Sequence, residues 1–377
     1  MNYGLIEVVA KGTNWITLPL LALVTTANLY GELAYYYLVI VLTGTFLAFG
    51  QNRVILSSGK EDIEIKKNVS ILISFVLLFF VELFLFFLGY FELKIFIAIL
   101  CGCFFAIQNN LSLAFRAQNK IDSFIKIKTY YLFRIISIFI IVYFTKSIEL
   151  YLFSELTILI LYFIFFSKFR FYKEPLNILN SLKDGFILVM YAISMYLITN
   201  LDKFYIEHMF TKEVLASYYF LFSLSTSFTF ISAYFSVKYE REIYNSLNYS
   251  SAKSHANNCT NKTILYSVLL FPFVFLLYYF YVKFTALEYK PYWFIMVFIA
   301  QIIYFLSIKE TYMLTFLKKN KIIFYSSFLI LFISLISNYF LINLLGILGC
   351  ILTLILCYTI FWLVMTFYNF RYISLDK

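Results

Sequence analysis

Long apolar runs almost free of charge recur from one end of this chain to the other. Each is about 17 to 25 residues, the length a helix needs to cross a bilayer core. Approximate cores lie at 5–28, 33–56, 69–91, 94–115, 124–145 and 148–167. After a basic break they resume at 185–208, 214–237, 263–284, 291–315, 322–342 and 345–369. The pattern predicts about twelve transmembrane helices. Strands of a membrane barrel would be short and strictly alternating, whereas these runs are apolar on every side. Composition agrees: 63% of the 377 residues are hydrophobic and 13% charged, against about a quarter charged in a soluble domain. An apolar excess of that size cannot be buried in a water-soluble core, so the expected solvent is lipid and the expected class all-α, polytopic.

The charges sort by loop. Long connections carry most of the base: Arg53, Lys60, Lys66 and Lys67; Arg116, Lys120, Lys126 and Lys128; Lys168, Arg170, Lys173 and Lys183. The set continues with Lys238, Arg241, Lys253 and Lys262, then Lys318, Lys319 and Lys321, then Arg371 and Lys377. Short connections hold only Lys94, Lys146, Lys212, Lys283 and Lys290. A bias of 21 to 5 places the long loops and both termini in the cytoplasm and supports an even number of spans. The net charge of +10 then faces an anionic leaflet, and nucleic acid is not an expected partner. The N-terminus lacks a basic region and a small-residue cleavage site before Pro19, so it reads as a retained first span.

The chain also divides in two. Residues 1–167 form an expected N-terminal six-helix bundle, 168–184 a cytoplasmic linker with Glu174-Pro175, and 185–377 a C-terminal six-helix bundle. In each half the longest loop follows the second span, at 57–68 and 238–262, and Glu32-Leu33-Ala34-Tyr35-Tyr36 echoes Glu213 to Tyr219. An even number of spans per half gives a parallel repeat about an axis along the membrane normal, an arrangement common among transporters.

Ionisable groups inside spans are rare and expensive, so each needs a role. Glu7 and Lys11 are four residues apart on one helix face and able to pair. Arg134 lies mid-span and cannot shed its charge; Glu82, Glu155 or a passing phosphate are its candidate partners, and a cavity-facing arginine is the favoured reading. Glu82 and Glu155 are alternatively protonated carboxyls suited to proton coupling. Asp202-Lys203, after Thr199-Asn200, is the most polar patch at depth. Its two side chains lie about 100° apart on a helix and so are not expected to share one partner. Lys309-Glu310 reads as snorkelling to the cytoplasmic face. The five cysteines show no metal-ligand spacing and read as small packing residues, and His208 and His255 read as surface residues. No Gly-Lys-Ser phosphate loop, outer catalytic segment or paired-acid cluster is present. Movement of a substrate is expected rather than chemistry on it, with no cofactor and no metal.

Pro19, Leu29-Tyr30-Gly31-Glu32-Leu33-Ala34-Tyr35 and Phe49-Gly50-Gln51 resemble the amino-terminal pattern of the Wzx-type O-antigen and polysaccharide flippases, relatives of the multidrug/oligosaccharidyl-lipid/polysaccharide exporters. Asn200-Leu201-Asp202-Lys203-Phe204-Tyr205-Ile206 is similar to that family's Asp-Arg-aromatic-x-Ile block, with lysine where arginine is usual. Val214-Leu215-Ala216-Ser217-Tyr218-Tyr219 resembles its Gly-x-Tyr helix opening, with Ala-Ser where glycine is usual, and Arg116-Ala117-Gln118-Asn119-Lys120 resembles a further basic turn. The resemblance implies two six-helix bundles around a central cavity in a bacterial inner membrane. It also implies an undecaprenyl-diphosphate-linked oligosaccharide as substrate and an ion gradient as driving force. Polysaccharide polymerase and chain-length machinery are the implied partners, beside membrane lipids. A diphosphate needs fixed cations in a low-dielectric wall, which makes Arg134, Lys203 and Lys11 the substrate-binding candidates. Asp202, Glu7, Glu82 and Glu155 are then ion-coupling or structural candidates. A drug antiporter on the same fold is the competing expectation, and a polysaccharide polymerase a weaker one.

Overall fold

A computed structural model describes residues 6, 19–51, 54–55, 62–89, 92–167, 178–244, 246–285, 287–288 and 290–375. Among the described residues the regular structure is helical throughout. The helices are α1 (Ala27–Leu47), α2 (Ile63–Phe87), α3 (Leu93–Ala117), α4 (Ile121–Thr145), α5 (Ile148–Phe166) and α6 (Ile178–Met209). They continue as α7 (Lys212–Ser225), α8 (Ser227–Tyr244), α9 (Tyr249–Lys283), α10 (Pro291–Phe316), α11 (Asn320–Leu345) and α12 (Ile347–Leu375). With α7 and α8 taken as one run, eleven are long and apolar enough to cross a membrane. Most of the expected first span, 5–28, lies outside the described residues.

Local chemistry explains several boundaries. The Ser147 side chain accepts the Leu150 amide (3.3 Å) at the start of α5, and the Asn248 side chain accepts the Ser251 amide (2.9 Å) at the start of α9; each satisfies a donor left orphaned at a helix start. Pro291 opens α10, where its missing N–H costs nothing. Between α7 and α8 lies the run Ser223-Leu-Ser-Thr-Ser-Phe-Thr229. Its hydroxyls turn back onto the chain, as in Ser225 Oγ to Phe222 O (2.7 Å) and Thr226 Oγ1 to Ser223 O (2.6 Å). Such back-bonding competes with the ladder and bends helices, which accounts for the break at Thr226.

One expectation needs correction. The basic loop at 238–262 is mostly helix: α8 runs on to Tyr244 and α9 starts at Tyr249. Polar side chains end an apolar run without ending a helix, because a backbone that leaves the hydrocarbon zone still keeps its own hydrogen bonds. Likewise α2 begins at Ile63, inside the expected loop 57–68.

The chain forms two compact units. Glu32–Tyr196 is the N-terminal unit. Leu197–Lys377, with the described residues ahead of Glu32, is the C-terminal unit. In the N-terminal unit α3 is central, packed on α2, α4 and α5. It meets α1 through Gly102, where a methyl group would collide with the Thr43 side chain and lie 3.0 Å from the Gly44 amide. Close approach through small residues is the usual way helices pack in lipid. In the C-terminal unit α12 packs on both α10 and α11, and α8 packs on α9. The outer faces are apolar: Phe79, Phe80 and Phe84 of α2, and Phe328 and Phe332 of α11, are exposed, as lipid contact requires.

Candidate functional site

Among the described residues, each unit contains one ion pair with both partners buried. In the N-terminal unit a guanidinium nitrogen of Arg134, on α4, pairs with a carboxylate oxygen of Glu155 on α5. The two residues are 4% and 0% exposed. The Arg134 guanidinium also lies 5.7 Å from the centre of the Phe105 ring on α3, a distance at which a ring face attracts a cation. Of the two carboxylates considered for Arg134, Glu155 makes the pair. Glu82 sits half-buried on α2, its Oε1 without a hydrogen-bond partner.

In the C-terminal unit the pair forms within α6. Lys203 Nζ lies 3.3 Å from Asp202 Oδ1 and donates to the Thr199 carbonyl at 2.9 Å. Asp202 Oδ1 also accepts the Lys203 backbone amide (2.8 Å), and Oδ2 accepts the phenol of Tyr218 on α7. The Phe222 ring centre is 3.6 Å from the ammonium and the Tyr218 ring 5.6 Å. Thr199 Oγ1 lies 3.1 Å from the Tyr358 hydroxyl of α12, which ties the shell to a third helix. The expectation that the two side chains cannot face one partner is corrected here, for both reach Tyr218, Asp202 at its hydroxyl and Lys203 over its ring, and they also pair with each other. Helical side chains lean toward the N-terminus, so a lysine stem folds back a full turn to Thr199 while its ammonium stays beside the preceding carboxylate.

The chemistry of both pairs follows from burial. A charge without a counter-ion in lipid is too costly to keep, and each pair presents no net charge to its surroundings. Lys203 and Asp202 are almost completely enclosed, at 1% and 2% exposure, and the Lys203 ammonium is engaged by groups of its own unit. Glu7 and Lys11 lie outside the described residues. Glu310, expected to snorkel with Lys309, is instead held by Asn369, whose Nδ2 donates to its carboxylate (2.6 Å) and to its carbonyl (2.9 Å).

Two further clusters sit at helix ends of the N-terminal unit. Lys94 Nζ bridges Glu149 (2.8 Å) and Glu32 (3.4 Å), joining α3, α5 and α1. At the opposite ends of α2 and α3, Glu64 takes Lys67 (2.5 Å) and the Gln118 amide (2.8 Å). These clusters are partly exposed, and such pairs contribute only about 0–1 kcal/mol each. Among the described residues no group of three or more His, Cys, Asp or Glu side chains is placed to hold a metal.

Neutral amides are buried alongside the charged candidates. Gln51, Asn68, Gln108 and Asn110 are all buried in the N-terminal unit, each with a side-chain atom lacking a hydrogen-bond partner. The signal was in the sequence: Gln108-Asn109-Asn110 interrupts an otherwise apolar span.

No protein-family model and no curated protein matches the chain. Among solved structures it is similar to the lipid II flippase MurJ in an inward closed conformation, with a TM-score of 0.72, 13% identity, and 97% of this chain and 87% of that one covered. An inward-facing multidrug resistance MATE family transporter of the MOP superfamily gives 0.61 and 12% identity, covering 99% and 95%. A MOP superfamily transporter from Pyrococcus furiosus gives 0.57 and 9%, covering 100% and 94%. At these identities the likeness establishes a shared polytopic helical fold.

Proposed function

We propose that the chain is a flippase for a lipid-linked oligosaccharide, with an undecaprenyl-diphosphate carrier, working by ion-coupled alternating access in a bacterial inner membrane. The fold carries this reading. Its likeness to a solved lipid II flippase extends over nearly the whole chain, and the short sequence blocks around Asp202-Lys203 and Arg116 resemble the Wzx-type family. Both termini lie in the cytoplasm in this scheme, and residues 1–167 rock against 185–369 around a central cavity.

The buried pairs refine the assignment of roles. A diphosphate headgroup would reach Arg134 only by exchanging with Glu155, and Lys203 only by exchanging with Asp202. Each carboxylate is therefore the natural place for a coupling proton, since protonating it releases the cation. A polymerase and chain-length proteins are the expected partners.

A drug antiporter is the second reading. It is favoured by the shared fold with multidrug resistance transporters and by the fact that both described mid-span cations are already neutralised. Gene deletion in the native host, with lipid-linked precursor and surface polysaccharide tracked, separates the two. The flippase reading expects precursor trapped on the cytoplasmic face and rescue by the wild-type gene. Precursor reaching the outer face normally would overturn it in favour of the antiporter. Precursor present there but unpolymerised would point to the polymerase.

A further inference from the structure

In the N-terminal unit a set of buried amides lies between two clusters of apolar side chains. On one side Ile55, Ile63 and Ala114 pack together; on the other Leu47 and Ile71 pack with Ala106 and Ile107. A helix repeats about every 3.6 residues. Gln51 is four residues before Ile55, Asn110 is one turn back from Ala114, and Asn68 is one turn back from Ile71. Bonds on either side fix the register: Ser74 Oγ to Leu47 O (2.9 Å), Cys103 Sγ to Ser74 O (3.7 Å), and Gln118 Nε2 to Glu64 Oε1 (2.8 Å). The Val54 amide reaches the Gly50 carbonyl (3.4 Å), which holds Gln51 close to the Ile55 cluster.

All three residues are at most 1% exposed, and each presents an atom with no partner: Gln51 Oε1, Asn68 Oδ1, and both Oδ1 and Nδ2 of Asn110. Native proteins rarely leave such groups unsatisfied, and ordered water is the usual remedy. The chemistry selects the occupant. Three oxygens need donors, while the Asn110 amide nitrogen needs an acceptor. A metal cation cannot accept and an anion cannot donate; water does both. Positive charge nearby opposes a further cation, since the Lys66 ammonium lies 3.3 Å from Ser181 Oγ, on the residue whose carbonyl holds Gln51. Gln51 is anchored by its own amide, which donates to the Ser181 carbonyl at the start of α6 (2.9 Å).

We propose that Gln51, Asn68 and Asn110 form a buried water site that joins the segment after α1 to α2 and α3. The site is independent of what the protein transports.

Radiolytic hydroxyl labelling of the purified full-length protein tests it, because radicals born on bound water oxidise the side chains beside it. Ile71 and Ile107 should be labelled faster than Phe220, a more reactive ring that is equally buried in the C-terminal unit. Asn110→Leu should abolish that labelling and lower the unfolding midpoint by about 2 °C or more. Asn68→Leu is the substitute should Asn110→Leu fail to fold. Labelling of Ile71 and Ile107 no faster than Phe220, with a midpoint raised by the leucine, would show a dry layer and overturn the proposal. A wild-type midpoint that rises with sodium chloride but not with choline chloride would assign a cation and overturn it equally.

Discussion

At the scale of single residues, the question is whether Arg134 serves the substrate or the fold. Its pairing with Glu155 in a dry setting permits both roles, and two variants separate them. Arg134→Ala leaves the Glu155 carboxylate without its counter-ion, a loss of about 3–5 kcal/mol for a buried pair. Replacing both partners, as Arg134→Met with Glu155→Leu, removes the desolvation penalty together with the attraction and should unfold close to wild type. If Arg134 contacts the headgroup, the stable double variant still fails to restore surface polysaccharide. Full rescue by the double variant would leave the pair a structural bolt. The sequence singled out this arginine and named Glu155 as one of two carboxylate partners, beside a passing phosphate, because a permanent charge in lipid must be paired. It did not show the Asp202–Lys203 arrangement. That geometry depends on lysine length and on Phe222 and Tyr218, ordinary aromatics in a chain holding 47 Phe and 34 Tyr, where no single ring stands out.

At the scale of helices, hydropathy located the elements because lipid imposes a minimum apolar length, and α10 at Pro291–Phe316 nearly coincides with the expected 291–315. It misplaced ends wherever a helix outlasts the hydrocarbon zone, as in the 35-residue α9. How closely helices approach was also hidden in the sequence, because Gly102 has no Cβ to announce what it touches. The α1–α3 contact gives a direct prediction. Gly102→Ala inserts a methyl group against Thr43 and the Gly44 amide, and overpacking of this kind costs about 1–3 kcal/mol. The thermal midpoint of Gly102→Ala should fall, and Thr43→Ala in the same chain should recover part of the loss. An unchanged midpoint in the single variant would mean that α1 and α3 do not meet so closely.

For the whole molecule, the sequence makes its strongest claim where a helical fold alone says least, in orientation. The fold is the same with either face toward the cytoplasm, whereas the basic bias of 21 to 5 picks one through the positive-inside rule. The described short connections include Glu92, ahead of α3, and Glu288, ahead of α10; the basic set includes Asn119, after α3, and Leu247, ahead of α9. All five native cysteines are buried, so they give little background to a bulky thiol reagent. Single cysteines at Glu92 and Glu288 should therefore react with an impermeant maleimide in intact cells. Cysteines at Asn119 and Leu247 should react only after the membrane is opened. The reverse pattern would invert the orientation and place the Lys94–Glu149 cluster, instead of the Glu64–Lys67 cluster, at the cytoplasmic ends of the helices. A mixed pattern would be more damaging, because one miscounted span reverses every connection after it, and the parallel repeat of 1–167 and 185–377 depends on an even number in each half.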